Sequence, residues 1–469
     1  MPDQKRRRIL IIGGGFGGLK AAESLAHLPV QITLVDRRNH HTFQPLLYQV
    51  ATAGLSPADI AAPIREILAR YENVEVLLGK VVGFDLERRI VELNGFELGY
   101  DYLVVAAGAS HAYFGHDDWE PLAPGLKTVE DALEIRRRVL LAFELAERHA
   151  AVSGQHQPIS FVVVGGGPTG VELAGTLAEI AGKSLAEDFR HIDPQKTHIV
   201  LLEAGPALLS AYPEDLRQSA KLQLERLGVE VRLNSAVTGV SPDEIHVGGE
   251  VMHASVVLWA AGVAASPLGR ELGGPTDRAG RVLVESDLSL PSHPEVFVIG
   301  DLASLKHADG SQLPGVAPVA MQQGRWVARE IAADLAGNPR TPFLYVDKGS
   351  LATIGRAAAV AQFGKLHISG FLAWLSWLFI HIFFLVGFRN RIIVMIQWAW
   401  SYFTYDRSAR LITGDAQTIA ASPMRYAHPS ADPVDKQRAT PATSGLGSQL
   451  ATQDLPPTQA ASPSSRPAS

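Results

Sequence analysis

Two stretches of the chain, residues 9–26 and 159–181, share one order of apolar and polar positions. Each opens with a run of β-branched apolar residues, passes through a cluster of glycines, and continues with apolar positions at helical spacing among Ala, Leu and Glu. This order predicts a buried strand, a tight turn and a helix. The two stretches begin about 150 residues apart, which is too long for a solenoid repeat. They therefore predict two nucleotide-binding domains built on one plan.

Shorter apolar runs downstream of each turn predict further strands. Because the last of them would return the chain to the first sheet, we expect the second domain to be inserted into the first. The predicted fold is α/β, with a first Rossmann-like domain in residues 1–115 and 285–345 and a second in residues 116–284. The runs cover residues 30–35, 197–202, 229–233, 256–259 and 294–301.

The carboxy-terminal part of the chain has a different pattern. Residues 371–388 are nearly all apolar, interrupted by Ser376 and His381, and a second apolar run follows at residues 392–400. Tryptophan and tyrosine are concentrated here. The pattern fits helices that lie in a membrane interface, one spanning helix, or a buried core or dimer helix.

We therefore predict that residues 346–421 form a helical membrane-anchoring region, with lipid contact near residues 370–405. Residues 422–469 are rich in Ser, Pro, Ala, Thr and Gln and poor in aromatic residues. Such a segment cannot bury enough apolar surface to offset its ordering entropy, so we predict a disordered tail.

The first glycine cluster has the spacing Gly13-x-Gly15-x-x-Gly18. Gly13 allows the tight turn, Gly15 lets the backbone approach a pyrophosphate, and Gly18 lets the helix pack on the strand. The helix amino terminus favours the pyrophosphate, because its N–H groups are unpaired and its dipole attracts anions. The next predicted strand is followed by Asp36, at the spacing expected of a carboxylate that binds a ribose hydroxyl pair. These features predict a dinucleotide site.

The second cluster repeats this spacing as Gly165-x-Gly167-x-x-Gly170, and the strand after it is followed by Glu203. A carboxylate there favours the free 2′-hydroxyl of NADH and repels the 2′-phosphate of NADPH. Ala204 comes next, so no arginine follows at once to bind that phosphate. We therefore predict NADH at this site. Two dinucleotide sites in one chain imply hydride transfer from a nicotinamide to a flavin, in which the protein mainly supplies positioning.

The chain contains no cysteine. Disulfides, iron–sulfur ligation, thiolate zinc sites and a dithiol redox centre are therefore excluded, and we predict no metal site. A flavin in this chain must pass its electrons straight to an acceptor. A formal net charge of −6 over 469 residues gives no reason to expect a nucleic acid partner. No signal-peptide pattern opens the chain, so we expect the amino-terminal part to face the cytoplasm.

With these motifs in place, the chain resembles the type II NADH:quinone oxidoreductases, single-subunit respiratory enzymes that do not pump protons, over roughly residues 8–415. Residues 40–51 resemble the family segment that runs towards the flavin ring. Residues 104–108 and 260–263 resemble the small-residue turns of the FAD and NADH domains, and residues 299–301 match the turn whose aspartate binds the ribityl chain. The resemblance implies FAD at the first glycine cluster and NADH at the second.

The resemblance also assigns individual residues to each cofactor. For FAD these are Gly13, Gly15, Phe16, Gly17, Gly18, Asp36, Arg37, Val82, Ala107, Gly108, Gly300, Asp301 and Ala320. For NADH they are Gly165, Gly167, Pro168, Thr169, Gly170, Glu172, Glu203, Ala261 and Gly262.

Glu172 lies two residues after the second glycine cluster and is predicted to be catalytic. In the family this glutamate lies near the flavin, between the NADH and quinone sides, and is implicated in handling protons or quinone. The alternative is a surface glutamate in the first turn of a helix, where the dipole favours it. Lys365 is either a proton-relay partner or a solvated lysine.

The quinone motif of the family, Ala-Gln-x-Ala-x-Gln, is here Ala-Pro-Val-Ala-Met-Gln at residues 317–322. Pro318 replaces the first glutamine and suits the first turn of a helix. Gln322 matches the second glutamine and is the second predicted catalytic residue; Gln323 beside it is a further candidate quinone contact. The alternative for Gln322 is a capping or core amide.

The resemblance implies a homodimer held on the cytoplasmic face of the inner (plasma) membrane, where it reduces ubiquinone or menaquinone. Peripheral, monotopic attachment and one spanning helix both fit the sequence. Two other functions also fit the two glycine clusters. One is a soluble NADH-dependent ferredoxin or rubredoxin reductase, which has no need of a membrane surface. The other is a non-catalytic NADH-binding redox sensor.

Overall fold

The computed structural model describes residues 6–307, 310–385, 391–396, 398 and 409–412. The predicted tail at residues 422–469 lies outside the described residues. The strands are β1 (Arg8–Ile12), β2 (Gln31–Asp36), β3 (His40–Thr42), β4 (Ala61–Pro63), β5 (Val74–Leu78), β6 (Val81–Asp85), β7 (Ile90–Leu93), β8 (Phe96–Gly99), β9 (Tyr102–Val105), β10 (Ala109–His111), β11 (Ser160–Val164), β12 (His198–Leu202), β13 (Val229–Arg232), β14 (Val237–Ser241), β15 (Glu244–Val247), β16 (Glu250–His253), β17 (Val256–Trp259), β18 (Val263–Ala265), β19 (Val282–Leu283), β20 (Ser289–Leu290), β21 (His293–Val298), β22 (Ala303–Ser304), β23 (Ser350–Gly355), β24 (Ala358–Phe363) and β25 (Leu366–Ser369). The helices are α1 (Phe16–Leu25), α2 (Leu47–Ala51), α3 (Pro57–Ile60), α4 (Ile64–Leu68), α5 (Val129–Ser153), α6 (Pro168–Glu179), α7 (Glu214–Arg226), α8 (Leu268–Glu271), α9 (Ala317–Leu335) and α10 (Phe371–Phe384).

The apolar runs of the first domain form a six-stranded sheet in the order β20-β21-β9-β1-β2-β5. Neighbouring strands are parallel, except that β20 runs antiparallel to β21. Both faces of such a sheet are covered, which is why residues 9–12 of β1 are apolar throughout and at most 4% exposed. Since β20 and β21 come from residues 289–298, the chain leaves this sheet after β9 and returns to it much later.

The intervening residues form a second parallel sheet, in the order β13-β12-β11-β17. The two sheets share a topology. In the first sheet β1 lies between β2 and the later strand β9, and in the second sheet β11 lies between β12 and the later strand β17. Each domain also carries a three-stranded antiparallel sheet, β6-β7-β8 or β14-β15-β16. The predicted insertion of one Rossmann-like domain into another is therefore confirmed, while the exact domain bounds stay predictions.

Helices α1 and α9 pack with their backbones in close contact. A Cβ built on Gly324 would lie 2.3 Å from the carbonyl oxygen of Gly17, far inside contact distance. A Cβ on Gly17 would in turn lie 3.3 Å from the carbonyl oxygen of Ala320. This packing fixes α9, which carries the quinone-motif residues, beside the first glycine turn.

An antiparallel sheet, β23-β24-β25, precedes the apolar helix. We predicted only a helical segment for this part of the chain, and the structure adds the sheet. Its hairpins turn at Ala357 and Gly364, which both adopt positive φ. The sheet is joined to the second domain through α6, because a Cβ built on Gly175 would lie 1.6 Å from the carbonyl oxygen of Ile354.

The apolar segment itself forms α10, a helix of 14 residues. Its inner face buries Ala373 and Trp377. Within the described residues, no helix combines the length and the apolar character needed to cross a bilayer. The outer face of α10 exposes between 50% and 68% of Phe371, Leu372, Phe379 and Phe383.

Candidate active site

The two predicted dinucleotide turns have nearly the same geometry. Gly13 and Gly165 adopt φ of 102° and 110°, a backbone region that favours glycine. A Cβ on Gly18 would lie 1.8 Å from the carbonyl oxygen of Gly13, and a Cβ on Gly170 would lie 1.8 Å from that of Gly165. Each third glycine therefore lets a helix, α1 or α6, approach the turn that precedes it.

The middle glycine of each turn caps its helix and faces open space. Gly15 precedes α1 and Gly167 precedes α6, and a Cβ built on either would meet no atom within 4 Å. Pro168 then takes the first position of α6, where a missing N–H costs nothing. Free N–H groups that face open space at a helix amino terminus fit a pyrophosphate, so both turns fit a dinucleotide.

A carboxylate follows the second strand of each sheet and binds the backbone of its own turn. Asp36 accepts hydrogen bonds from the N–H groups of Gly14 at 2.6 Å and Arg38 at 2.7 Å. Glu203 accepts from the N–H groups of Gly166 and Gly205, both at 2.6 Å. A carboxylate offers about four acceptor positions. Each side chain is therefore oriented by two N–H groups and keeps capacity for a ribose hydroxyl pair.

The remaining strand-end residues also occupy equivalent positions in the two domains. Ala107 and Gly108 follow β9, whereas Ala261 and Gly262 follow β17 at the same distance along the chain. Both glycines have positive φ, of 68° and 127°. The backbone thus turns away at the carboxyl end of each sheet, where open α/β sheets bind their ligands.

The turn at Gly300 and Asp301 combines a positive φ of 72° at the glycine with a carboxylate that the Lys127 ammonium contacts at 3.4 Å. Ala320, at the start of α9, lies 3.5 Å from where a Cβ on Gly300 would be. Gln323 supports the same turn, since its side-chain oxygen accepts the N–H of Gly300 at 2.6 Å. This geometry fits the ribityl chain of FAD, so the residues of the first domain fit the cofactor.

The two glutamines of α9 have protein partners in this structure. Gln323 is 1% exposed and bonds the Gly300 turn. The amide of Gln322 donates to the carbonyl oxygen of Val346 at 2.9 Å and accepts the Val346 N–H at 3.0 Å. Both side chains thus bind backbone groups of the protein, of Gly300 and of Val346. Their contact with a quinone stays a prediction.

Two residues assigned to FAD and the candidate relay lysine have exposed side chains. Arg37 is exposed at the end of β2, and Val82 is 48% exposed on β6. Lys365 is exposed in the turn between β24 and β25, which favours the solvated lysine over the proton relay. The roles of Arg37 and Val82 at the cofactor stay predictions.

Glu172 lies on α6 where that helix packs on β23. The backbone N–H of Thr353 donates to its carboxyl group, yet burial raises the pKa of Glu172 well above its ordinary value. The pKa of the neighbouring Tyr212 is also raised, first by burial and then by the Glu172 charge. Burial favours the neutral form of a carboxyl group over the charged form, so Glu172 differs from a solvated surface glutamate. Its catalytic role stays a prediction.

We predict that Glu172→Gln raises the unfolding midpoint of the FAD-loaded protein by a few degrees at neutral pH. The unfolded chain releases the Glu172 proton above a pH of about 4.3, whereas the folded protein, with its raised Glu172 pKa, releases it only at a higher pH. The wild-type protein therefore loses stability as the pH rises through this interval towards the raised folded pKa. Thermal unfolding followed from about pH 4 to about pH 8 measures the effect. A difference between variant and wild type that does not grow with pH would contradict it.

A series of contacting aromatic rings links the first glycine turn to α10. Phe16 packs edge-on against His41 and Phe43, at 5.0 and 5.8 Å between ring centroids. Phe43 meets His381 at 6.2 Å, and His381 stacks on Trp377 at 4.4 Å. The structure thus connects residues that the sequence interpretation had placed in separate segments.

Of the two histidines among these contacting rings, His41 is buried and His381 is half-buried, and both have a lowered pKa. His41 is 3% exposed, its Nδ1–H donates to the carbonyl oxygen of Gly14 at 3.0 Å, and burial lowers its pKa. Burial also lowers the pKa of His381 to about 4, and its Nδ1–H donates to the carbonyl oxygen of Trp377 at 2.7 Å. Sequence reasoning did not single out His41, although it lies in the segment predicted to run towards the flavin.

A cavity of about 990 Å³ opens beside these rings, between α1, α4, α9 and the residues that follow α10. Its lining includes the buried His41 and the half-buried Phe16, together with the exposed Phe383 and Phe384. No group of three or more metal-ligating side chains occurs among the described residues. The complete lining is Phe16, Leu19, Lys20, Glu23, His41, Ala58, Ala61, Ala62, Pro63, Glu66, Ile67, Ala69, Arg70, Met321, Arg325, Phe383, Phe384, Leu385 and Arg391.

Comparison with known families agrees with this geometry. Residues 7–324 match the pyridine nucleotide-disulphide oxidoreductase family, and residues 348–405 match the NDH2 C-terminal domain. The first family is named for a disulfide, which this chain lacks because it has no cysteine. The match to the second family spans β23 to α10, the part of the chain that follows the two dinucleotide domains.

Individual relatives cover nearly the whole chain. The type II NADH:quinone oxidoreductase Ndh of Mycobacterium tuberculosis is 46% identical over 432 residues, covering 89% of this chain and 92% of that protein. The mitochondrial internal alternative NAD(P)H-ubiquinone oxidoreductase A1 of Arabidopsis thaliana is 30% identical, covering 85% and 84%. The structure of NDH2 from Plasmodium falciparum in complex with NADH superposes with a TM-score of 0.77 at 20% identity, covering 87% and 100%, and shows the shared fold. The chain belongs to the type II NADH:quinone oxidoreductase family.

Proposed function

We propose that this chain transfers reducing equivalents from NADH, through FAD, to ubiquinone or menaquinone at the cytoplasmic face of the inner (plasma) membrane. One observation carries the proposal. One cavity is lined both by Phe16, at the first glycine turn, and by Phe383, on the exposed face of α10, and contacting aromatic rings join Phe16 to α10. A lipid-soluble acceptor needs such a route, since its electrons come from a cofactor held by the protein interior.

Each site of the chain has a separate task in this scheme. When bound, FAD accepts a hydride from NADH and passes its two electrons to the quinone. The turn at residues 165–170 and Glu203 hold the NADH pyrophosphate and ribose. The turn at residues 13–18, Asp36 and Asp301 hold FAD, and the half-buried ring of Phe16 and the buried ring of His41 exclude water beside the first glycine turn.

Glu172 supplies the proton that the overall reaction requires. NADH and a quinone yield NAD⁺ and a quinol only if one proton is added to the transferred hydride. Burial raises the pKa of Glu172 well above its ordinary value, which suits a carboxyl group that gives up a proton during turnover. Its position on α6, within the NADH domain and against the sheet that joins α10, suits delivery towards the quinone side.

The first experiment is steady-state NADH oxidation by the detergent-solubilised, FAD-loaded protein with a soluble quinone analogue. We expect quinone-dependent turnover that exceeds turnover with ferredoxin or rubredoxin. Turnover with ferredoxin alone would favour the soluble reductase. Saturable NADH binding without turnover on any acceptor would favour the redox sensor and overturn the proposal.

Membrane attachment in this proposal uses the outer face of α10. The exposed rings of Phe379 and Phe383 are apolar surface that water disfavours, and they continue into exposed Ile392, Met395 and Ile396. Such a face suits a helix that lies in the membrane interface. This supports monotopic attachment in the proposal, and the homodimer stays a prediction.

We predict that the double change Phe379→Asp and Phe383→Asp releases the protein from salt-washed membranes. Each phenylalanine contributes about 1.5–3 kcal/mol when it leaves water, so membrane affinity falls at least tenfold for each. FAD content is expected to persist in the double variant. Turnover with a soluble quinone is expected to persist in Phe379→Asp alone, because Phe379 does not line the cavity. The matched control is Phe96→Asp, since Phe96 is also exposed, at 46%, but lies on β8. Retention of the double variant on membranes would place the anchor elsewhere.

A further inference from the structure

The cavity beside α10 has a charged wall that an uncharged quinone does not need. Four cationic side chains line it, from Lys20, Arg70, Arg325 and Arg391, against two carboxylates from Glu23 and Glu66. Four positive and two negative side chains give the cavity lining a net charge of +2. The whole chain carries a net charge of −6, so this local excess is opposite to the overall balance.

The two acidic groups do not neutralise the wall. Glu23 pairs with the Lys20 ammonium and lies 3.8 Å from the Arg70 guanidinium, so one carboxylate serves two cations. Among the described residues, Arg325 and Arg391 have no carboxylate within salt-bridge distance; the Nε–H of Arg391 donates to the carbonyl oxygen of Leu385 at 2.7 Å. Guanidinium groups with unused N–H donors are suited to phosphate oxygens.

The same cavity is also lined by apolar side chains, from Leu19, Ile67, Met321, Phe383 and Leu385. Phe383 is also 68% exposed on the face proposed to enter the membrane, so the cavity lining shares a residue with that face. A cavity that combines surplus cations with apolar side chains matches an amphiphile with an anionic headgroup.

We propose that the outer part of this cavity binds the phosphate headgroup of an anionic membrane phospholipid. Arg325 and Arg391, with the exposed Arg70, contact the phosphate, and the first acyl carbons contact Phe383 and the other apolar side chains of the lining. The quinone takes the part of the cavity beside Phe16 and His41. This inference rests on the proposed membrane attachment and adds the lipid class to it.

The vesicle test compares binding of the FAD-loaded full chain to phosphatidylcholine vesicles and to vesicles that also contain phosphatidylglycerol. We expect the wild type to prefer phosphatidylglycerol and Arg325→Gln to reduce that preference about fivefold, the amount expected for one arginine at an anionic surface. Arg325 is exposed, so its loss leaves the fold intact. The matched control is Arg88→Gln, an exposed arginine that lies between β6 and β7 and does not line the cavity.

A second test distinguishes a defined lipid-binding site from general electrostatic attraction between the protein and an anionic lipid surface. Below its micelle concentration, dihexanoyl phosphatidylglycerol should bind the detergent-free, FAD-loaded protein more tightly than dihexanoyl phosphatidylcholine or inorganic phosphate. Ala69→Trp fills the cavity without altering its charge and should abolish this binding. Equal binding of inorganic phosphate would instead assign the cations to a free anion. Equal binding of both lipids, or unaffected binding by Ala69→Trp, would overturn the inference.

Turnover with a soluble quinone analogue, measured on the same preparations, keeps the two proposals apart. Wild-type turnover without a preference for phosphatidylglycerol over phosphatidylcholine would contradict the lipid site alone. A lack of quinone turnover in the wild type would contradict the proposed function, whatever the lipid result.

Discussion

Replacing Gly170 by valine is expected to abolish NADH oxidation while FAD stays bound. A Cβ at this position would lie 1.8 Å from the carbonyl oxygen of Gly165, so α6 must move away from its turn. Valine adds two further carbons to that conflict. A displacement of about 1 Å in a positioned reactant costs roughly 10²-fold in rate, and here the helix amino terminus that holds the pyrophosphate moves as well.

Three measurements on the Gly170→Val protein test this expectation: NADH turnover, NADH binding, and the flavin absorbance of the purified chain. Gly18→Val is the reciprocal variant, because a Cβ on Gly18 meets the Gly13 carbonyl oxygen at the same 1.8 Å; it should lose FAD. Gly182→Val is the matched control, since a Cβ on Gly182 would meet no atom within 4 Å. Loss of flavin from Gly170→Val, or normal NADH turnover by it, would mean that the two turns are assigned wrongly.

The fold could be predicted from the sequence because its determinants are local. The positive φ of Gly13 and Gly165, and the contacts of Gly18 and Gly170 with the turns before them, all arise within six residues of the chain. The apolar runs beside them predict buried parallel strands whatever the rest of the chain does. Two copies of this unit were sufficient to predict the nested α/β domains.

The partners of the α9 glutamines could not be predicted in the same way. Gln322 binds Val346, and Gln323 binds Gly300, 24 and 23 residues distant along the chain. An amide both donates and accepts, so many backbone groups can satisfy it. Its partner depends on how α9 packs, which the close contact of Gly324 with Gly17 determines.

The environment of Glu172 is likewise a product of tertiary structure. Its raised pKa requires burial against β23, which comes from residues 350–355 and approaches α6 only because Gly175 has no side chain. The sequence pattern predicts a glutamate in the first turn of a helix, whereas α6 begins at Pro168 and places Glu172 after that turn. The pattern also gives no information on the packing against β23. The same limit explains why β23, β24 and β25 were not predicted, since their apolar positions are short and broken by the turns at Ala357 and Gly364.

Replacing Glu203 by glutamine is expected to lower kcat/KM for NADH by roughly 10²-fold and to shrink the preference over NADPH. The carboxylate oxygens accept the N–H groups of Gly166 and Gly205, both at 2.6 Å, which orients their remaining acceptor positions towards the turn. Glutamine turns one of these acceptors into a donor, so an N–H group then faces another N–H group. Hydrogen bonds to a charged partner contribute about 1.5–3 kcal/mol each, and the ribose loses at least one.

The loss for NADPH should be smaller, because removing the negative charge also removes its repulsion of the 2′-phosphate. Steady-state kinetics with both nucleotides measure the two effects, and flavin absorbance should stay unchanged because Asp36 serves the other turn. The control is Glu214→Gln, whose side chain is 74% exposed at the start of α7. An unchanged ratio between the nucleotides would show that the ribose of NADH binds elsewhere. The near-identical hydrogen bonding of Asp36 and Glu203 would then serve only to brace the two glycine turns.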